Sequence, residues 1–178
     1  QRDLGQHSRQ FHAISKTGEI VHHTGSKCVA WAGHVQAKNV SVAGNMLVGS
    51  KVVEDTMQAW IDNPHKTISE RLLLAMEAGE AAGGDKRGKQ AAGLKISNGQ
   101  PYPILDLRVD DHADPLSELR RLIHVADERY TIFRTALPTV ENFSGMVDRR
   151  PLDEAIAGAE EERSKTGYVS QSFATTNE

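Results

Sequence analysis

The feature that most constrains this chain is a glycine-rich, charged connection at residues 78–94, which read AGEAAGGDKRGKQAAGL. A helical pattern ends inside it, a glycine pair turns the backbone, and a strand of small residues begins after the charges. Glycines such as Gly84 and Gly88 permit positive-φ conformations and a close approach of the backbone, which other residues resist. The sequence therefore predicts a helix that passes through a tight charged turn into a strand.

Two amphipathic helices precede this turn. Residues 50–63 carry apolar side chains at helical spacing, and Pro64 stops the pattern. A second helix opens at Thr67, with Glu70 at the spacing of a capping box. Because only a short turn joins the two helices, we expect them to form one antiparallel layer on a sheet. The predicted apolar faces are Val53, Met57, Trp60 and Ile61 in the first helix and Ile68, Leu72, Leu73 and Met76 in the second.

Alternating apolar residues predict strands around the helices. A hairpin that turns at Gly18 comes first, another strand runs into Gly44-Asn45, and two strands follow the glycine-rich turn. Asp114-Pro115 then begins a third helix as its N-cap and its first helical residue. The predicted elements in chain order are therefore three strands, two helices, two strands and a third helix. The clearest predicted strands are residues 10–15, 19–24, 90–97 and 104–110 and the segment that ends at Gly44-Asn45.

The pattern loosens from about residue 137, where prolines and a Ser-Gly pair interrupt it. Residues 152–165 predict a short charged helix, and the polar residues 170–178 predict a disordered tail. We therefore divide the chain into a domain of residues 1–136 and a C-terminal extension of residues 137–178, which is partly helical and then disordered.

Composition and charge exclude several classes of function. The 178 residues carry a formal net charge of −3 and no long basic stripe, so we expect no nucleic-acid partner. No apolar run reaches the roughly 20 residues that a membrane span needs, so we expect no membrane partner. Cys28 is the single cysteine, which excludes an internal disulfide and favours a reducing, cytoplasmic location. No cofactor is predicted.

The charged turn is only superficially like a phosphate-binding loop. In GGDKRGK, Lys89 is followed by Gln90 instead of Ser or Thr, and a strand instead of a helix comes next, which excludes nucleotide hydrolysis of the Walker type. Lys86 and Arg87, with the neighbouring backbone N–H groups, are still suited to a carboxylate or another anion. Asp85 either pairs with them structurally or orients a reacting group.

Several other positions have both a structural and a functional interpretation. The Asn45 amide either donates to a developing oxyanion or satisfies the backbone of a turn. His22 and His23 are neighbours on a strand and point to opposite faces, so they are poorly placed to share a metal. Residues 110–114 (DDHAD) are rich in ligand atoms but have no second ligand cluster at suitable spacing, so no metal is predicted. Cys28 is better explained as a small buried residue than as a nucleophile.

Four segments stand out as a set. They are Thr24-Gly25 with Cys28 and Trp31-Ala32-Gly33-His34, then Gly44-Asn45-Met46-Leu47, then residues 77–88 (EAGEAAGGDKRG), and then residues 106–112 (DLRVDDH). Taken together, they resemble the DUF1028 family, which is placed with the N-terminal-nucleophile (Ntn) hydrolases. The resemblance covers roughly residues 9–126. It implies an α+β fold, the four-layer αββα sandwich of the Ntn hydrolases, with two sheets face to face and helices outside.

The resemblance also implies an N-terminal segment of strands and a nucleophile that this sequence lacks. In Ntn hydrolases the mature N-terminus is a Thr, Ser or Cys whose own α-amine acts as the base, whereas this sequence begins with Gln1. We therefore expect either that the N-terminus has been processed or cut away or that the sequence is incomplete, so that the sandwich is incomplete at its N-terminus. A second departure is Ala91, at a position where family members often carry Ser.

The first functional hypothesis is an Ntn-type hydrolase that cleaves an amide bond of a small molecule, with a nucleophile outside this chain. Asn45 and Asp85 are the predicted catalytic residues, one as the donor to the oxyanion and the other to orient the nucleophile. Lys86, Arg87 and His34 are the predicted substrate-binding residues. The alternative is a non-catalytic protein that binds a carboxylate ligand or makes subunit contacts through the turn. We expect a homo-oligomer.

Overall fold

The computed structural model describes residues 3–174, and the chain divides into two compact units, Gln1–Gln90 and Ala91–Glu178. Both units are built from antiparallel strand pairs and helices. Within the described residues, the strands form three separate two-stranded sheets and the chain has five α-helices. This mixture confirms the predicted α+β class.

The first unit begins with two hairpins. Strand β1 (Gln10–Ile14) pairs antiparallel with β2 (Ile20–Thr24), and Gly18 turns the backbone between them at a φ of +86°. Strand β3 (Trp31–Ala37) pairs antiparallel with β4 (Val40–Leu47). The sequence predicts β1, β2 and β4 but not β3, because the residues WAGHVQA mix small and polar side chains without apolar alternation.

A pair of helices follows the hairpins. Helix α1 (Lys51–Asp62) packs against α2 (Ile68–Ala81), and α1 also contacts β3 and β4. Thr67 caps α2, because its side-chain oxygen accepts the Glu70 N–H at 3.3 Å. The predicted pairing of the two helices is confirmed, and α1 is the helix that lies against the β3–β4 hairpin.

The buried faces of this helix pair differ in part from the predicted faces. Val53, Met57 and Leu73 are buried, as their spacing predicts. Ile61 and Ile68 instead expose 47% and 45% of their surface. Both residues flank the turn between the helices. Helical periodicity shows which face of a helix is apolar, but not how far along the helix a neighbouring element covers that face.

The two helices approach each other closely at Gly79. A Cβ atom there would lie 2.2 Å from Thr56 Oγ1 and 3.3 Å from the Val52 carbonyl oxygen. Thr56 Oγ1 is itself fixed, since it donates to the same Val52 oxygen at 2.6 Å. The contact between α1 and α2 therefore requires glycine at this position.

The second unit consists of one hairpin and the remaining helices. Strand β5 (Ala92–Ile96) pairs antiparallel with β6 (Leu105–Val109), and α3 (Pro115–Glu128) contacts both strands. As predicted, Asp114 is the N-cap of α3 and a proline begins the helix. The buried apolar residues here are Leu94, Val109, Leu119, Ile123, Ala126 and Leu152.

The C-terminal part contains two more helices and an extended segment. Helix α4 (Tyr130–Phe133) is a single turn, and α5 (Arg150–Lys165) begins two residues before the predicted helix. Residues 168–174 then run along the surface without regular secondary structure. The last four residues of the predicted disordered tail lie outside the described residues, and the division after residue 136 stays a prediction.

Candidate functional site

A β-bulge near the end of β4 places Asn45. Residue 31 pairs with residue 47, but the next pair is 33 with 44, so Ala32 alone faces Asn45 and Met46. Such a bulge bends the strand and turns side chains away from the regular alternation, and it is common beside functional sites. The amide of Asn45 therefore projects from an irregular point of the hairpin.

The backbone next to Asn45 is strained. Met46 has a φ of +58°, a left-handed conformation that costs a residue with a side chain about 1–2 kcal/mol. Two hydrogen bonds hold it there, since its N–H donates to the Val29 oxygen at 3.2 Å and its own oxygen accepts the Lys86 N–H at 2.9 Å. A strained residue persists only where its surroundings fix it, so the bulge is a rigid feature.

The glycine-rich turn is attached to this same end of β4. Asp85 forms an isolated antiparallel bridge with Leu47, and the Val48 N–H donates to the Gly84 oxygen at 3.1 Å. The turn and the bulge are thus joined through consecutive residues of one strand. Asn45 and Asp85, which are far apart in sequence, are carried by adjacent backbone segments.

The glycines of this turn serve its backbone conformation. Gly84 and Gly88 have φ values of +55° and +101°, which favour glycine. A Cβ on Gly88 would meet nothing within 4 Å, and one on Gly84 would meet the flexible end of Glu80 at 2.4 Å. The sequence correctly predicts the tight turn, but the expected close approach of another group is absent at Gly88 among the described residues.

Asp85 and Arg87 form a closed ion pair. Arg87 donates to the Asp85 carboxylate from Nη2 at 2.6 Å, from Nε at 2.9 Å and from its backbone N–H at 2.8 Å. The hydrogen bond from the Arg87 side chain is the main cause that lowers the pKa of Asp85 to about 2. Asp85 is therefore a permanent anion near neutral pH. Lys86 is exposed and forms no salt bridge within the described part of the chain, so it is more accessible than Arg87 to a ligand carboxylate.

Gln10 connects the two hairpins and holds Asn45. Its Nε2 lies 3.0 Å from the Gly33 oxygen, 3.0 Å from the Gly44 oxygen and 3.0 Å from Thr24 Oγ1. Its Oε1 accepts the Asn45 amide at 3.4 Å. One half-buried side chain thus fixes the β1–β2 hairpin on the β3–β4 hairpin through polar contacts where an apolar contact is more usual.

Two glycines that face each other allow this arrangement. A Cβ on Gly33 would lie 2.5 Å from the Trp31 ring, and a Cβ on Gly44 would lie 2.6 Å from Leu47 Cδ1. Trp31 and Leu47 therefore fold over bare backbone whose carbonyl oxygens Gln10 reaches.

His34 extends the polar contact between the hairpins. Its Nδ1 lies 3.1 Å from Thr24 Oγ1, and since that hydroxyl already accepts from Gln10, its proton is available for Nδ1. Burial lowers the pKa of His34, and the nearby His22 and His12 lower it further. The ring centroids of His34 and His22 are 3.5 Å apart. The lowered pKa keeps the His34 ring neutral near pH 7. When Nδ1 accepts the Thr24 hydroxyl proton, the proton of the ring lies on Nε2.

The two adjacent histidines of β2 point to opposite faces, as predicted. His22 meets His34, whereas His23 stacks on Phe11 with 5.7 Å between the ring centroids and has its Nε2 2.8 Å from the Gln6 oxygen. Across residues 3–174, no group of three His, Cys, Asp or Glu side chains is arranged to hold a metal ion.

The remaining candidates have structural partners. The Cys28 thiol donates to a backbone carbonyl at 3.5 Å and is only partly buried. In the segment 110–114, the Asp114 N–H donates to His112 Nδ1 at 3.0 Å, and Asp110 forms an ion pair with Arg108. These contacts explain the polar residues of that segment as the connection between β6 and α3.

The predicted site residues lie on one linked framework in the first unit. Hydrogen bonds link His34 to Thr24, Thr24 to Gln10, and Gln10 to Asn45. The charged turn is attached at the next residue, Met46, whose oxygen accepts the Lys86 N–H. Sequence reasoning missed Gln10, Thr24 and the strain at Met46. The available signal was the set of polar residues on one face of β1 and β2, where Gln10 pairs with Thr24 and His12 pairs with His22. The predicted residues on this framework are His34, Asn45, Asp85, Lys86 and Arg87.

Comparisons with known proteins agree with this α+β arrangement. The model of the DUF1028 family, described as a family of unknown function, matches residues 1–119. A DUF1028 crystal structure from Silicibacter pomeroyi is similar to the chain with a TM-score of 0.72 and 28% sequence identity. The alignment covers 82% of this chain and 65% of that one, so the chain spans about two thirds of the length of its structural relative. A comparison with curated proteins found no match.

The chain therefore belongs to the DUF1028 family, and the resemblance seen in its four sequence segments is confirmed. The family match includes the whole framework that links His34, Asn45 and the glycine-rich turn. No helix among the described residues is long and apolar enough to span a membrane.

Proposed function

We propose that this protein is an Ntn-type hydrolase that cleaves an amide bond of a small molecule. In this proposal the attacking group is an N-terminal Ser, Thr or Cys, as in other enzymes of that class. The residues of this chain supply the surroundings of the reaction: a donor to the oxyanion, a fixed negative charge and groups that bind the substrate.

The placement of Asn45 carries the proposal. Amide donors that stabilise an oxyanion work best when they are fixed before the reaction, because no reorganisation is then needed in the transition state. The bulge and the strained Met46 fix the backbone at Asn45, and the hydrogen bond from Asn45 Nδ2 to Gln10 Oε1 at 3.4 Å orients its amide. A turn asparagine that only satisfies local backbone needs no such support.

The other site residues take complementary roles. Because the pKa of Asp85 is about 2, this carboxylate acts as a fixed anion that orients the nucleophile or its amine and does not take up protons near neutral pH. Lys86 is the main anchor for a substrate carboxylate, and Arg87 holds Asp85 in place. Neutral His34 offers Nε2–H as a hydrogen-bond donor to the substrate.

We also propose that the complete protein adopts the four-layer αββα sandwich, works in the cytoplasm and forms a homo-oligomer. The two facing hairpins, with α1 against β3 and β4, support the layered arrangement. Phe11 and Val21, on the face of β1–β2 that points away from His34, expose 57% and 58% of their surface, which supports a further contact on that face. A chain with Cys28 as its single cysteine suits a reducing compartment.

The test is hydrolysis of a panel of N-acyl amino acids and small primary amides by the protein expressed from its complete coding sequence. Asn45→Asp keeps the size of the side chain and removes its N–H donor. We expect it to lower kcat by roughly 100- to 1,000-fold with little change in KM. Asn98→Asp, in the turn after β5, is the matched control and should leave kcat unchanged.

Two results would overturn the proposal. One is an unchanged kcat in the folded Asn45→Asp protein. The other is no turnover of any amide by the complete protein with a free N-terminal Ser, Thr or Cys.

The alternative, a non-catalytic carboxylate-binding protein, is favoured by the exposed Lys86. It predicts binding of N-acyl amino acids that Lys86→Gln abolishes, without any hydrolysis.

A further inference from the structure

The second unit contains a large groove that lies outside the proposed catalytic site. It has a volume of about 980 Å³ and is bounded by β6, α3, the end of α5 and residues 168–174. This volume is at the upper end of the range for small-molecule sites, roughly 300–1,000 Å³. All of its lining residues belong to the second unit, whereas all the proposed site residues belong to the first.

One side of the groove is apolar. Leu105 and Leu107 of β6 and Leu122 and Val125 of α3 line it, and each of these side chains is only half-buried. Other apolar residues of α3, such as Leu119 and Ile123, are buried in the core of the unit. Helix α3 therefore carries apolar side chains in addition to those that are buried in the core, and these additional side chains line the groove.

The carboxylates around the groove already have partners. Asp106 lies 3.5 Å from Lys95 Nζ, and Glu160 forms an ion pair with Arg129 at 2.5 Å. Glu128 accepts three neutral donors from residues 168–171, with distances of 2.7–3.1 Å. The negative charges at this edge are therefore compensated or hydrogen-bonded.

Arg163 is different from these groups. It lines the groove, is half-buried, and forms no salt bridge within the part of the chain that the structure describes. Glu128 is within electrostatic reach of it, but the oxygens of that carboxylate are bonded to Tyr168, Ser170 and the Gln171 N–H. A guanidinium without an ion-pair partner beside apolar side chains suits a bound carboxylate, which it can hold through two parallel hydrogen bonds.

Residues 168–174, here called the C-terminal strap, complete the groove. Alternate residues of the strap line it, beginning at Tyr168 and ending at Ala174. The strap is fastened to α3, because Arg121 Nη1 donates to the Gln171 oxygen at 2.7 Å and the Arg121 guanidinium lies 4.1 Å from the Phe173 ring centroid. The groove therefore has a defined second wall.

We propose that this groove binds an aliphatic carboxylate, with its alkyl chain along Leu105, Leu107, Leu122 and Val125 and its carboxylate on Arg163. The apolar side chains supply affinity through burial of the alkyl chain. Arg163 supplies the charge complementarity that selects an acid over an alcohol or an amine of the same length.

The experiment is calorimetric titration of the full chain with decanoate, 1-decanol and decyltrimethylammonium at equal chain length. We expect saturable binding of decanoate, with at least tenfold weaker binding of the other two. Arg163→Gln should weaken decanoate binding by about 10- to 100-fold, the usual effect of a hydrogen bond to a charged group. Arg149→Gln, at the opposite end of α5, is the matched control and should bind decanoate normally.

A second variant tests the apolar wall. Val125→Trp fills the groove and should abolish decanoate binding while the circular dichroism spectrum stays that of the original protein. The inference is overturned if decanoate does not bind to the folded protein, if the three ligands bind equally, or if Arg163→Gln binds as tightly as the original. It is also overturned if the original protein is a dimer that the Val125→Trp substitution dissociates, since a second copy of the chain would then occupy the groove of the original protein. These outcomes are independent of amide hydrolysis.

Discussion

Gln10 holds the two hairpins of the first unit together, and its replacement is the most direct test of the site. Its Nε2 has three oxygen acceptors at 3.0 Å but only two hydrogens, so it makes about two full hydrogen bonds at a time. At about 1 kcal/mol for each bond, Gln10→Met should lower the free energy of unfolding by about 2 kcal/mol. For a chain of this length, that corresponds to a fall in Tm of roughly 4–8 °C.

Gln10→Glu should be worse than Gln10→Met at neutral pH, because a carboxylate oxygen would face the Gly33 and Gly44 oxygens. Such an environment raises the pKa of the introduced acid in the folded state. If the rise is about one unit above the usual value of about 4.3, the extra loss is about 1.4 kcal/mol. The sign follows from linkage: the extra loss is absent below about pH 4 and is complete once the pH exceeds the raised pKa.

Urea unfolding followed by circular dichroism at pH 7 and at pH 4 measures both effects, because the extra loss of Gln10→Glu is present at pH 7 and almost absent at pH 4. Gln36→Met, at an exposed glutamine of β3, is the control and should change the free energy of unfolding by less than about 0.5 kcal/mol. The reasoning is refuted if Gln10→Met is as stable as the control, or if Gln10→Glu and Gln10→Met are equally stable at pH 7.

Two further predictions concern the helix contact and the charged turn. Gly79→Ala should cost about 1 kcal/mol, because overpacking against Thr56 outweighs the better helix propensity of alanine, and Thr56→Ala should relieve that cost in the double variant. Additive urea-unfolding energies in this double-mutant cycle would contradict the contact. In an NMR titration, Arg87→Gln should move the pKa of Asp85 from about 2 back towards 3.8, while Arg150→Gln, in a similar Asp-x-Arg pair, should leave it unchanged. The stability that the Asp85–Arg87 pair contributes is present above pH 3.8 and is lost as the pH falls through 2. A difference in unfolding free energy between the original protein and Arg87→Gln that stays constant down to pH 2 would refute this contribution.

The helices were the most predictable part of the fold, because their signals are local. Thr67 and Glu70 mark the start of α2 at capping spacing, and Asp114-Pro115 marks the start of α3. The glycines of the charged turn predict positive φ, which Gly84 confirms. Each of these signals needs only a few consecutive residues.

The site was less predictable, because it depends on contacts between distant segments. The bulge at Asn45 exists only in relation to the register of β3, a strand whose small residues give no alternating pattern. Gln10 acts through the Gly33 and Gly44 backbones, and no local spacing connects these positions. Propensity predicts that Met46 avoids a left-handed conformation, and the surrounding hydrogen bonds override that preference.

The Trp31 ring that covers Gly33 gives the protein a built-in optical reporter. Of the two tryptophans, Trp60 of α1 lies under the guanidinium of Arg71 from α2. Trp31 instead covers Gly33, whose carbonyl oxygen accepts from Gln10. Any ligand that moves Gln10 or Asn45 also alters the surroundings of the Trp31 indole. A Trp60→Phe protein would therefore report occupancy of the site by its fluorescence, without a label and before a substrate is known.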